Sequence, residues 1–278
     1  MTIELFGEIV SDEWAWLYEL FGIQCCCPRQ VREAIRDLPA DEDLILEINS
    51  PGGDVWAGFE IYGLLQACRA HTEAHIFSMA ASAATTVMCG CDTVLASPVA
   101  QVMIHQPSTY VRDYLNNEDT QRLQNFLDSI KASILNGYVI KSAGKATRQK
   151  FEQLVDDSTW MPAQDALELG LIDGYLDLDD EAAAAITVGS GIRVSNSAGM
   201  SPAPKGLLER YEAAVLAGTM EPVPGHPVPS DRGPKGLPGP PGLPEAPADR
   251  LDVNVVEHLI DDWRLMAAID LERARAVE

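Results

Sequence analysis

Along the first part of the chain, apolar positions recur with a period that switches repeatedly between that of a strand and that of a helix. Ile3 to Ile9 reads as a strand, and Pro28 stands at a plausible first helical position ahead of Val31, Ala34, Ile35 and Leu38 at helical spacing. Leu44 to Ile48 is an apolar run of the kind a buried strand shows. Val55 to Arg69 follows as a helix, with Phe59, Tyr62, Leu65 and Cys68 toward the core. His75 to Phe77, Thr93 to Ala96 and Gln101 to Ile104 are further short strands. A long helix is expected from about Asn117 to Ser142, with Leu123, Phe126, Leu127, Ile130, Ile134 and Tyr138 along one face. Two short helices complete the pattern, from Thr147 to Val155 and from Ala163 to Leu169, the second stopped by Gly170. Strands alternating with helices predict an α/β fold, a largely parallel sheet with helices outside it.

The pattern breaks after about residue 178. Residues 179–250 read as a flexible linker rich in glycine and proline, interrupted by one possible helix over 204–218 that carries Leu207, Leu208, Tyr211 and Val215. Pro222 to Pro247 is too poor in apolar residues to build a core. Within it, four Gly-x-y triplets beginning at Gly233, Gly236, Gly239 and Gly242 are collagen-like, but four are few for a triple helix, so an extended polyproline spacer is expected. Residues 251–278 place Val256, Leu259, Ile260, Trp263, Met266 and Ala267 on one side of an amphipathic helix, too short to be stable without a partner surface. The sequence therefore predicts one domain over 1–178 and a mostly disordered extension.

With 42 acidic against 20 basic residues the net charge is −22, which argues against nucleic acid and anionic membrane as partners. No run of eighteen apolar residues occurs, and the first residues lack the basic start of a secretory signal, so a cytoplasmic location is expected. The six cysteines should then be free thiols, with Cys89 and Cys91 buried at the end of a helix. Cys25 to Cys27 and Cys89-x-Cys91 lack zinc-site spacing, and no phosphate-binding glycine loop is present; neither metal nor cofactor is expected.

Three segments carry chemistry. Ile48-Asn49-Ser50-Pro51-Gly52-Gly53 ends a strand with two glycines, so the chain can turn sharply and leave backbone N–H groups bare. Met79-Ala80-Ala81-Ser82-Ala83 places a serine after a strand where a helix begins. Met103-Ile104-His105-Gln106-Pro107 sets a histidine at the end of another strand, where it could take a serine proton. Each segment alone is an ordinary turn, helix start or core histidine. Their occurrence in this order points to a serine peptidase.

On these residues the chain resembles the Clp proteolytic subunit family, and especially its phage branch, the Clp-related head maturation proteases. The resemblance covers about residues 1–178. It implies the spiral of strand and helix units found in the crotonase-like superfamily, with the long helix as a handle between rings. Ser82 falls on the nucleophile, His105 on the general base, and the amides of Gly53 and Ala83 on the oxyanion hole. Gly52, Asp54, Val55 and Gln106 fall where an extended substrate peptide lies. The resemblance further implies a homo-oligomeric ring of seven subunits or a double ring, protein substrates such as capsid or scaffold, and a site of action in the cytoplasm of a bacterial host or within the prohead.

The triad acid is where the chain departs from the family pattern. The family's acid sits two residues before an aromatic, here Trp160, and that position is Ser158. Asp156 and Asp157 lie beside it. Asp157 is the favoured acid, reached through a one-residue bulge; Ser158 as a weaker orienting group, or a slow or inactive homologue, are the other readings. A crotonase-type acyl-CoA enzyme shares the fold but needs a carboxylate base. A signal-peptidase-like Ser/Lys pair finds no lysine between Met1 and Ile130. A Clp-like shell acting only in assembly is the structural alternative.

Overall fold

The computed structural model of the chain describes residues 1–109, 111, 114–176 and 204–224. The linker expected over 179–203, the Gly-x-y run and the helix expected over 251–278 lie outside them.

The core is a mixed but mostly parallel sheet. Strands β1 (Thr2–Ile9), β3 (Leu44–Gly53) and β4 (Thr72–Ala81) lie side by side and parallel, and β2 (Cys25–Cys26) extends the β1 edge. The β4 strand is far longer than the three residues its apolar run marks, and its length lets it serve two neighbours. Its first half pairs with β5 (Thr93–Ala96), in register from Glu73 opposite Thr93 to Ile76 opposite Ala96. Its second half pairs with β6 (Gln101–Ile104), with Ala81 opposite Met103. This fork turns the sheet into a spiral. The β7 strand (Thr159–Pro162) closes against β6 in antiparallel sense, and β8 (Gly174–Tyr175) continues from β5.

The helices cover the sheet because each presents one apolar stripe to it. Helix α2 (Pro28–Asp37) starts with proline at its first turn, and α3 (Val55–Gln66) is capped by Asp54, whose Oδ1 accepts the Ala57 N–H at 2.9 Å. The face α3 buries is centred on Ala57, Gly58, Ile61 and Leu65, with Phe59 and Tyr62 only half-buried at its margin. The short α4 (Ala83–Met88) is wholly buried, and Cys89 and Cys91 follow it into the core. Helix α5 (Asn117–Ser142) divides along its length. Ile130, Ile134, Leu135 and Tyr138 are buried, whereas Leu123, Phe126 and Leu127, nearer its start, remain partly exposed. Helices α6 (Arg148–Asp156) and α7 (Ala163–Leu169) flank β7.

A second, smaller core forms around α1 (Ala15–Leu20), whose Leu17 and Tyr18 are fully buried. Helix α8 (Pro204–Leu216) packs there through Leu207 and Tyr211. Trp16 meets the Tyr211 ring edge-on at 5.2 Å, and the Arg210 guanidinium lies 4.7 Å above Phe21. Residues 204–216 thus belong structurally with the body, although the chain between 176 and 204 reads as linker. Between the two cores, Tyr18 donates a 2.8 Å hydrogen bond to buried Glu8, whose carboxyl burial pushes upward in pKa.

Candidate active site

Parallel strands end on the same side, so their C-terminal ends bring together residues far apart in sequence. Ser82 follows β4 and His105 follows β6, and the pairing of Ala81 with Met103 sets them side by side. His105 Nε2 lies 2.7 Å from Ser82 Oγ. The hydroxyl can donate to an unprotonated Nε2, the arrangement that readies a serine nucleophile.

Ser82 sits at φ 55°, ψ −125°, a backbone conformation that costs a non-glycine residue about 1–3 kcal/mol. Surrounding hydrogen bonds hold it there. Its N–H donates to Met103 O at 2.8 Å, and its carbonyl accepts from the Thr85 N–H at 2.9 Å and the Thr85 hydroxyl at 2.5 Å. Thr85 Oγ1 is in turn 2.6 Å from the Tyr138 hydroxyl, so α5 braces the nucleophile's turn from the core side. Neither Thr85 nor Tyr138 was marked as a site residue by the sequence. Thr85, three positions into the turn, carried the one local signal: a hydroxyl placed to bond back to the residue before a helix.

The two glycines after β3 lie against this turn. Gly52 has φ 94°, and a Cβ there would stand 2.6 Å from Ser82 Cβ and 2.8 Å from the Ala83 nitrogen. Gly53 has φ 146°, and a Cβ would fall 2.1 Å from Ile9 O. Ala83 is the first residue of α4, and its N–H has no intrahelical carbonyl within reach. Ala83 and Gly53 both border a cleft of about 250 Å³ that Ser82 and His105 also line. Asp54, Val55 and Gln106 also line it, and Phe126, Leu127, Ile130 and Ile134 give it an apolar part. Trp56, 54% exposed, lines it as well, with its ring 6.1 Å from that of Phe126. Gly52 supports the nucleophile's turn and does not face the cleft, and Asp54 contributes its side chain to the α3 cap.

The acidic residues near His105 take separate places. Asp157 caps the C-terminus of α6 and Ser158 turns the chain into β7 with φ 51°. Asp156 accepts a 2.9 Å hydrogen bond from Gln106 Nε2 and forms an ion pair with Lys131. His105 has Ser82 Oγ as its partner at Nε2. Its proton affinity is lowered by burial and raised by a backbone hydrogen bond with Gln106, with burial the larger effect.

The direction has a kinetic consequence. The imidazole stays neutral to a pH below its ordinary value of about 6.5, so base capacity persists as the solution is acidified. The acid limb of the pH dependence of Ser82 acylation is therefore expected to have its midpoint below 6.5, measured as the rate of covalent labelling against pH. A midpoint at or above 6.5 would contradict it. Cys25, Cys89 and Cys91 offer no rival nucleophile, since burial pushes Cys89 and Cys91 up to about 12 and Cys25 up to about 11.

Comparison with known proteins agrees with this arrangement. The profile of the Clp protease family matches residues 34–178, which include all three motifs and β3 to β8. The ATP-dependent Clp protease proteolytic subunits 1 of Chlamydia muridarum and Chlamydia trachomatis are each 31% identical over 137 residues, 49% of this chain and 70% of those proteins. The corresponding subunit of Chlamydia abortus is 28% identical over the same length. With the serine and histidine at paired strand ends and the family match spanning both, the chain belongs to the Clp protease family.

Proposed function

We propose that this chain is a serine endopeptidase working through an acyl-enzyme, and the observation that carries the reading is the 2.7 Å contact of His105 Nε2 with Ser82 Oγ beside the Gly53 and Ala83 backbone. A peptide lies extended along the chain after Gly53, between Asp54–Val55 and the segment from His105, with one side chain in the apolar part of the cleft. His105 removes the Ser82 hydroxyl proton as Oγ bonds to the scissile carbonyl carbon. The carbonyl oxygen, now an anion, turns to the Gly53 and Ala83 amides. The imidazolium returns the proton to the departing amine, leaving an ester on Ser82. Water, deprotonated by His105, then cleaves that ester and restores the serine.

The finer reading is that its substrates are capsid or scaffold proteins cut during phage head maturation in the bacterial cytoplasm or the prohead, by a homo-oligomeric ring, with or without an ATPase partner. The motif resemblance to the phage branch supports the substrate class. The half-exposed Leu123, Phe126 and Leu127 on α5, with exposed Leu115 just before it, support assembly through that helix. A catalytically weak assembly protein is the second reading. It is favoured by Ser158, which stands where the family pattern has its acid.

A fluorophosphonate probe separates the two. Adduct formation confined to Ser82, located by mass spectrometry of the assembled protein, is the expected result. A well-folded assembly that takes no label supports the weak or inactive reading.

A further inference from the structure

The strand pairing that builds the site also brings the end of α6 beside the base. In the antiparallel pairing of β6 with β7, Ile104 stands opposite Thr159, so His105 and Gln106 leave one strand where Asp156 to Ser158 lead into the other. Ser158 makes that entry with a left-handed backbone, its N–H reaching Val155 O at 3.1 Å. The Thr159 hydroxyl ties the same junction to Leu154 O at 2.7 Å. On this turn Asp156 reaches the residue that follows the base. Its Oδ1 accepts the Gln106 Nε2–H at 2.9 Å and pairs with Lys131 of α5, whose ammonium also lies 3.9 Å from Glu152.

We propose that Asp156, fixed by Lys131, orients His105 at one remove: it anchors the Gln106 side chain, and with it the stretch of backbone from which the imidazole reaches Ser82. This rests on the reading of Ser82 and His105 as nucleophile and base. Gln106 has little freedom once so anchored, because Pro107 restricts the residue before it to an extended backbone. The Gln106 backbone also raises the proton affinity of His105, against the larger opposing effect of burial. Asp156, Gln106 and Lys131 are positioning residues, and Lys131, with a side chain only 16% exposed, is the rigid end of the chain.

The test is the second-order rate of fluorophosphonate labelling of Ser82 from pH 5 to 9 in the full chain. Wild type is compared with Asp156→Ala, Gln106→Leu, the double variant, Lys131→Met, Lys131→Arg and Asp157→Asn. Asp156→Ala and Gln106→Leu are each expected to slow labelling at pH 7 by about tenfold to a hundredfold. The double variant should be no slower than the slower single, since both break one connection. The acid limb should move with them, a change that loss of packing alone does not produce, and Lys131→Arg should recover most of what Lys131→Met loses. Labelling of both single variants at the wild-type rate overturns the proposal, as does an additive double variant. So does a loss confined to Asp157→Asn, which would make Asp157 the orienting acid. Failure of wild type itself to label is a different result: it removes the peptidase reading, and this inference with it.

Discussion

Replacing Ser82 with alanine is expected to lower peptide hydrolysis by about 10⁴-fold or more while leaving the fold and the state of assembly unchanged. The large effect follows from chemistry, because Ser82 Oγ is the hydroxyl held 2.7 Å from His105 Nε2, the contact that lets it form the acyl bond. The intact fold follows from how the turn is held. Ser82 contributes its backbone to Met103 O and Thr85, and those bonds do not involve Oγ. The alanine therefore inherits the strained φ of 55° together with everything that enforces it. His105 loses its partner but is only half-buried, so water replaces the hydroxyl. The measurement is kcat/KM on a fluorogenic peptide alongside gel filtration of both proteins. Turnover near the wild-type rate would remove Ser82 from the mechanism, and loss of assembly would show that the hydroxyl holds structure.

The parts of this site that could be read from sequence are those written in consecutive residues. Two glycines after an apolar run, a serine among alanines and a histidine after Val102-Met103-Ile104 each report a strand end, and the sheet needs only to place those ends in parallel. What sequence could not supply depends on contacts between distant segments. The β4 strand continues through Thr72, Glu73 and Ser78, polar positions that hide its length, and its forked pairing has no local signature. The four residues of β7 are recognisable only by their partner β6. Counting back from Trp160 locates Ser158, but not the left-handed turn there that decides where Asp156 and Asp157 point. The bracing of the nucleophile by Tyr138 was likewise hidden, because on a helical wheel a core tyrosine with a satisfied hydroxyl looks like any other. Helix α8 was visible as an apolar stripe, whereas its seat against Trp16 and Tyr18 was not.

Gly52→Ala carries the second large effect, and it separates the role of the glycine from that of the reacting groups. Gly52 bears no chemistry, yet its Cα lies against the nucleophile's turn. An alanine methyl would meet Ala81 O at 2.6 Å, Ser82 Cβ at 2.6 Å and the Ala83 nitrogen at 2.8 Å. Two of these are backbone atoms and the third is the root of the nucleophile itself, so none can rotate aside. The φ of 94° adds about 1–3 kcal/mol for any residue with a Cβ. Relief requires either the end of β3 or the Ser82 turn to move. The first breaks the pairing of Gly52 with Glu8, and the second carries Oγ away from His105 and the Ala83 amide away from the oxyanion. The expected outcome is a loss of about 3 kcal/mol in stability, with Ser82 labelling slowed by about 10²-fold or more. Gly63→Ala is the matched control. It lies within α3 with nothing inside 4 Å of its added Cβ, so it should stabilise by about 0.5–1 kcal/mol and leave labelling unchanged. Urea denaturation and labelling rates on the same preparations give both quantities. A Gly52→Ala protein that labels as fast as wild type would mean that the turn tolerates displacement, and that the close packing of β3 on Ser82 is not what holds the nucleophile.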